Sequence, residues 1–148
     1  MRVLALDLGE RRIGVAVSDS QGVLASPHTV IDRGGDVAAD HARVVALVEE
    51  TRADLLLIGM PFSLSGARGP AALKAAAEAE ALAALVAVPV ETFDERLTTV
   101  EAARRRQARV SAGARSSRSK QKAGREGIDA EAAAILLQAW LAAHRGGS

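Results

Sequence analysis

The chain has 148 residues, with 19 Lys+Arg against 18 Asp+Glu, no Cys, and a formal charge of +1. That length suits one compact domain over residues 1–148, and 49% hydrophobic content excludes a disordered, collagenous or disulfide-stapled chain. Thiolate metal sites are excluded too, so any metal must rest on carboxylates or His.

Residues 2–8 form a β-prone apolar run broken only by Asp7. Gly9-Glu10-Arg11-Arg12 reads as a turn into a second run, Ile13 to Val17, and the polar turn 18–22 leads to a third, Val23 to Ile31. Three strands joined by tight turns predict an antiparallel meander. Asp36 to Arg52 changes to helical spacing, with Val37, His41, Val44, Val45 and Val48 on one stripe. The unbroken run 54–58, ended by Gly59 and Pro61, reads as a buried parallel strand. Residues 62–70, FSLSGARGP, have loop composition, and the Ala-rich stretch 71–86 favours helix. Val86 to Thr92 reads as another strand, and Thr98 or Thr99 caps a helix running to about Arg109. Residues 111–127 hold no large apolar residue and predict a flexible basic loop. In the last element, Ile128 to His144, Ile128, Ala132, Ile135, Leu136 and Trp140 recur at helical spacing. Trp140 and Leu141 fit either core or a homodimer patch. The order βββαβαβαα predicts an α/β fold, a mixed sheet with helices on its faces. The opening MRVLALDLGE lacks a signal peptide's apolar region and cleavage site, and no run is long enough to span a bilayer. A cytoplasmic protein with no membrane partner is the expectation.

Asp7 sits among Val3, Leu4, Ala5, Leu6 and Leu8, and an ionised carboxylate on a buried strand is costly unless paired or metal-bound. It reads either as a functional acid or as a partner of Arg11 or Arg12. Asp94 and Glu95 follow a predicted strand, where α/β folds place chemistry, although a carboxylate entering a helix also satisfies the macrodipole. Asp129, at the start of the predicted last helix, has the same two readings. Three acids converging from two strands and a helix would form an oxygen-only cage suited to Mg²⁺ or Mn²⁺. Two such ions can drive phosphodiester hydrolysis. His28, His41 and His144 are scattered and read as surface or core-edge residues. The loop containing Gly59, Ser63, Ser65 and Gly66 offers backbone N–H groups and hydroxyls to a phosphate, or is a plain strand-to-helix turn.

The near-neutral total hides a polarised chain. Arg104, Arg105, Arg106, Arg109, Arg115, Arg118, Lys120, Lys122 and Arg125 lie in a stretch with no acid, and the other 126 residues carry 10 basic and 18 acidic side chains. A basic segment just ahead of a candidate metal ligand suits a nucleic-acid backbone. It contains no aromatic on which bases could stack.

Four stretches, ALDLGERRIGVAVSD at 5–19, IGMPFSLSGARGP at 58–70, DERLTTVEA at 94–102 and IDAEAAAILLQAWL at 128–141, together resemble the YqgF/RuvX family of pre-16S rRNA nucleases, relatives of the RuvC resolvases. The resemblance implies an RNase H-like fold with a mixed five-stranded sheet, three antiparallel strands and then parallel ones. It implies a two-metal Mg²⁺ or Mn²⁺ site on Asp7, Glu95 and Asp129, with Asp94 the neighbouring alternative. On a regular strand Asp94 and Glu95 point to opposite faces, so only one reaches the metals, and the family pattern favours Glu95. The implied activity is 5′-end processing of precursor 16S rRNA in pre-30S particles. Branched-DNA resolution with the same acids, or a non-catalytic role in ribosome assembly, are the rivals. An actin-like or sugar-kinase ATPase, suggested by Asp7-x-Gly9, would need a second copy of this subdomain that 148 residues cannot hold. Ser63 and Ser65 stand where relatives often have Asn and Asp, and the glycines before Asp129 suggest a loop that orders on substrate.

Overall fold

The computed structural model describes residues 1–61, 69–94 and 118–145, with side chains of the last segment described from Asp129 to His144. The predicted helix after Thr98 or Thr99 and the first part of the predicted basic loop lie outside the described residues.

Five strands, β1 (Val3–Leu8), β2 (Arg12–Ser18), β3 (Ala25–Asp32), β4 (Leu55–Met60) and β5 (Val90–Asp94), form one sheet in the order β3-β2-β1-β4-β5. β1, β2 and β3 pair antiparallel, whereas β4 lies parallel to both β1 and β5. Three helices are described: α1 (Val37–Thr51), α2 (Pro70–Leu85) and α3 (Arg118–Arg145).

Strand alternation divides the core into two layers. Val3 and Ala5 of β1, Ala16 of β2, and Leu55 and Leu57 of β4 meet Ala132, Ala133, Leu136, Leu137 and Trp140 of α3. Leu4, Leu6, Ile13, Val15, Leu56 and Ile58 turn the other way, onto Val44 and Val48 of α1 and Ala79 and Leu82 of α2. Trp140 and Leu141 are therefore core, and a dimer patch built on them is excluded. With both faces covered, β1 and β4 read as nearly continuous apolar runs, as central strands must.

Local signals fix the ends of α1. The Asp36 carboxylate accepts from the N–H groups of Ala38 and Ala39, and Arg52 closes the C-terminus in the left-handed conformation (φ 55°), its N–H bonded to Glu49 and that of Ala53 to Val48. Pro70 opens α2 at its first turn, where its missing N–H costs nothing.

Two boundaries differ from expectation by more than two residues. β5 starts at Val90 rather than Val86, because Val86 and Val88 fill the α1/α2 layer and Pro89 has no N–H for the ladder. More consequentially, α3 starts at Arg118, so residues 118–127 are helical and not the flexible loop expected of them. Lys, Gln, Arg, Ala and Glu all favour helix, so a lack of large apolar residues does not by itself exclude a helix there. Among the described residues no helix is long and apolar enough to cross a membrane.

At one point the α3 backbone presses directly on the sheet. A Cβ built on Gly14 of β2 would overlap the carbonyl group of Asp129, so only glycine admits this approach. Gly14→Ala should destabilise the fold by roughly 3 kcal/mol and lower Tm by on the order of 10 °C. Thermal melts that superimpose on those of the natural protein would contradict that contact.

Candidate metal centre

Asp7 shares its strand parity with Val3 and Ala5, so it faces α3, and it is only 4% exposed. Its cross-strand partner is Gly14, the glycine against which Asp129 rests. The two carboxylate-bearing residues thus flank one glycine on one face of the sheet. Arg12, two residues before Gly14, has the same parity. Its Nε donates to Asp129 Oδ2 at 3.1 Å, with the two side chains 20% and 26% exposed. The ion pair Arg12 makes is therefore with an acid 117 residues away, whereas the sequence pointed to neighbouring Asp7.

Asp129 lies about three turns inside α3, not at its N-terminus. The macrodipole acts only within the first turn, so it does not account for this acid. Asp94 is placed just as definitely. Trp140 Nε1 donates to Glu91 Oε2 at 3.0 Å, and Phe93 packs on the α3 layer, so the odd positions of β5 face α3. Asp94 instead pairs with Met60, which is buried with Ala72 and Ala75 of α2. As a ligand beside Asp7 and Asp129, Asp94 is thus on the wrong face of the sheet.

Of the other expected site residues, Glu95, Ser63, Ser65, Gly66, Arg104, Arg105, Arg106, Arg109 and Arg115 lie outside the described residues. Gly59 is in β4, in register with Phe93, and Arg118, Lys120 and Lys122 lie on the first turns of α3. Among the described residues no three acids or histidines gather into a metal-sized group. Asp7 and Asp129 are the described members of the expected donor set, and carboxylates are hard oxygen donors whose chemistry fits Mg²⁺ or Mn²⁺ rather than zinc.

The opposite face carries a different charge cluster, which sequence reading missed. In a cleft of about 970 Å³ between α1 and α2, Arg33 Nη1 and Nη2 donate to the two oxygens of Glu78 at 2.8 and 2.9 Å. His41, buried on α1, contributes Nε2 at 3.0 Å to Glu78 Oε2. The cluster ties the end of β3 to both helices, and only tertiary structure brings positions 33, 41 and 78 together. Burial pushes the Glu78 carboxyl up, but hydrogen bonds from Arg33 and His41, with their charges, outweigh it and hold the group below its ordinary value. Of the other histidines, His28 is exposed and His144 stacks on Trp140 with ring centroids 3.9 Å apart.

A family model described as RuvX, Holliday junction resolvase, matches residues 1–143. A Streptomyces avermitilis protein named "Putative pre-16S rRNA nuclease" is 46% identical over 145 residues, covering 97% of this chain and 87% of that protein. One of the same name from Anaeromyxobacter sp. (strain Fw109-5) is 42% identical over 142 residues, covering 95% of this chain and 96% of its own. Among solved structures, Thermus thermophilus RuvC in complex with Holliday junction substrate matches with a TM-score of 0.60 at 20% identity, over 99% of this chain and 96% of that one. That likeness is one of fold, the RNase H-like arrangement that the strand order also has.

The depressed Glu78 carboxyl has a consequence for acid stability. A group held lower in the folded than in the unfolded state stabilises the fold above its unfolded value, near the ordinary 4.5, and loses that contribution as pH falls through the folded value. Glu78→Gln should therefore lower Tm at neutral pH, with the difference from the natural protein shrinking as pH drops below about 4. A Tm difference that stays constant from pH 7 to 3 would remove Glu78 from the acid transition.

Proposed function

Because this chain belongs to the RuvX family, we propose that it is a metal-dependent nuclease that hydrolyses phosphodiester bonds in structured RNA, with the 5′ end of precursor 16S rRNA in pre-30S particles, and hence the cytoplasm, as its place of action. The observation that carries the reading is the placement of Asp7 and Asp129 around Gly14 on one face of the sheet. A nearly fully buried carboxylate on the sheet face over which Asp129 lies suits a cation site.

Asp7, Asp129 and Glu95 would hold the divalent ions. The family pattern favours Glu95 over Asp94 as the third acid, and among the described positions of β5 Glu91 and Phe93 are the ones that face α3. When bound, two such ions supply Lewis-acid stabilisation and an activated water for in-line displacement at phosphorus. The chain's part is to fix its carboxylates on rigid elements: Asp7 on a central strand and Asp129 on a helix seated against β2. Arg104, Arg105, Arg106, Arg109, Arg115, Arg118, Lys120 and Lys122 would neutralise substrate phosphates. Arg118, Lys122 and Arg125 precede Asp129 at spacings of four, three and four residues, which keeps basic positions in helical register with that acid.

A second reading, cleavage of branched DNA, is favoured by the description of the family model and by the RuvC likeness, and uses the same acids. Matched assays on precursor rRNA and four-way junctions separate the two, and junction cleavage without RNA cleavage would replace the first reading by the second. Asp7→Asn and Glu95→Gln should each reduce Mn²⁺-dependent cleavage by more than about a hundredfold while circular dichroism and RNA binding hold, and Asp94→Asn should stay within a few fold of the natural rate. Retained cleavage by Asp7→Asn sinks the assignment. A folded protein that binds no Mn²⁺ by calorimetry would instead be a non-catalytic assembly factor.

A further inference from the structure

We propose that the cleft between α1 and α2 seats an unpaired nucleotide of the substrate strand. This rests on the nuclease reading above and extends it, from where the strand is cut to where a neighbouring nucleotide is held.

The first observation is position. β1 and β3 both run antiparallel to β2, and β4 runs parallel to β1, so these three strands end at one edge of the sheet. The cleft lies over that edge: Leu8 is the last residue of β1, and Arg33 and Pro61 are the first beyond β3 and β4. A crevice outside the carboxyl ends of strands is where open α/β sheets bind ligands. Asp7 and Arg12 belong to the same edge, and Gly9 and Glu10, in the turn between them, line the cleft. The N–H of Arg33 bonds the carbonyl of Arg11 at 2.8 Å, which fastens the cleft to that turn. One short turn of chain thus joins the cleft to the strand that carries Asp7.

The second observation is the lining. A volume of about 970 Å³ falls within the roughly 300–1,000 Å³ of small-ligand pockets. Leu8, Val37, Pro61, Ala75 and Ala81 give apolar walls on which a base and a ribose can pack, and Val37 is 56% exposed, so its apolar surface is open to be covered. Lys74 and Glu10 add one charge of each sign, and neither forms an ion pair among the described residues. A purely anionic ligand would be repelled by Glu10, and a purely apolar one would leave both charges unused. A nucleotide meets both, with its phosphate for Lys74 and the N–H donors of its base for Glu10. The space is also preformed: Glu78, gripped by Arg33 and bonded to His41, fixes the spacing of β3, α1 and α2 before any ligand arrives.

The test is anisotropy titration of a fluorescent short single-stranded RNA, in EDTA so that nothing is cleaved, with the natural protein and with Ala77→Trp, Lys74→Gln and Ala84→Trp. Ala77 is exposed and lines the cleft, so a Trp there fills it, and binding should weaken roughly tenfold. Lys74→Gln should weaken binding and lower the salt slope by about 0.7, the share of one phosphate on a single strand. Ala84→Trp, exposed on the same helix but outside the cleft lining, should stay within about twofold of the natural affinity. If melting shows that Ala77→Trp does not fold, Lys74→Gln, at an exposed helix position, decides by its salt slope. In amide NMR spectra, adenosine 5′-monophosphate should shift Leu8, Val37 and Ala77, whereas inorganic phosphate alone should not. Affinity that Ala77→Trp leaves unchanged, equal weakening by Ala84→Trp, or phosphate shifts that match those of the nucleotide each overturn the inference. Cleavage of RNA by a protein whose binding is indifferent to Ala77→Trp defeats the cleft alone. Nucleotide shifts in the cleft of a protein that cleaves neither rRNA nor junctions defeat the nuclease reading and leave the cleft standing.

Discussion

The close approach of α3 to β2 at Gly14 is the contact on which the rest of the site depends. A side chain at that position would hold the helix off the sheet, and the carbonyl of Asp129 could not sit where it does. Further along, Gln138 bonds the N–H of Ala25 and the carbonyl of Val23, anchoring α3 at the start of β3. Trp140 reaches Glu91 on β5. The helix thus spans the sheet from β3 to β5, and alanines at 132 and 133 keep it close over that distance. Because the helix is held at Gly14 by its backbone and at β3 and β5 through Gln138 and Trp140, the position of Asp129 relative to Asp7 follows from tertiary packing and needs no local turn to define it.

Strand alternation then sorts the charged residues by face. Asp7, Arg12 and Glu91 are directed to the α3 side, whereas Asp94, in register with Met60, belongs to the α2 side. A one-residue slip in β5 would carry Asp94 to the α3 side. The parallel pairing of β4 with β5 holds that register over five residue pairs, from Leu56 opposite Val90 to Met60 opposite Asp94.

Much of this was legible in the sequence, and the exceptions share a cause. The strands and the α1 boundaries follow from periodicity, an Asp cap and turn residues, all of which act within a few positions. The carboxyl at position 7 stood out because charge within an apolar run is expensive. Arg11 and Arg12 were alternative partners for Asp7 by sequence proximity, and only the antiparallel return of β2 beneath α3 joins Arg12 to Asp129. The Arg33, His41 and Glu78 cluster was invisible for the same reason, as its members come from three elements. Gly14 did carry a signal, since an isolated glycine inside a strand marks a bulge or a close backbone approach. The start of α3 carried no mark in the sequence because apolar periodicity is what signals a helix there, and the basic stretch before Ile128 has none.

The two charge clusters lie on opposite faces of the sheet, one against α1 and α2 and the other against α3. Both oxygens of Glu78 are taken by Arg33, with His41 added, so the carboxylate is bound on every side and has little left to offer a ligand. Such a cluster fixes the spacing of α1, α2 and β3. On the α3 face, Asp7 is nearly fully buried across from Gly14, and Asp129, whose backbone rests on that glycine, pairs with Arg12 through one carboxylate oxygen. Removing a carboxylate from water is costly, so a fold selected for stability alone would favour an apolar side chain at position 7. The proposed divalent ion is what would give that cost a purpose.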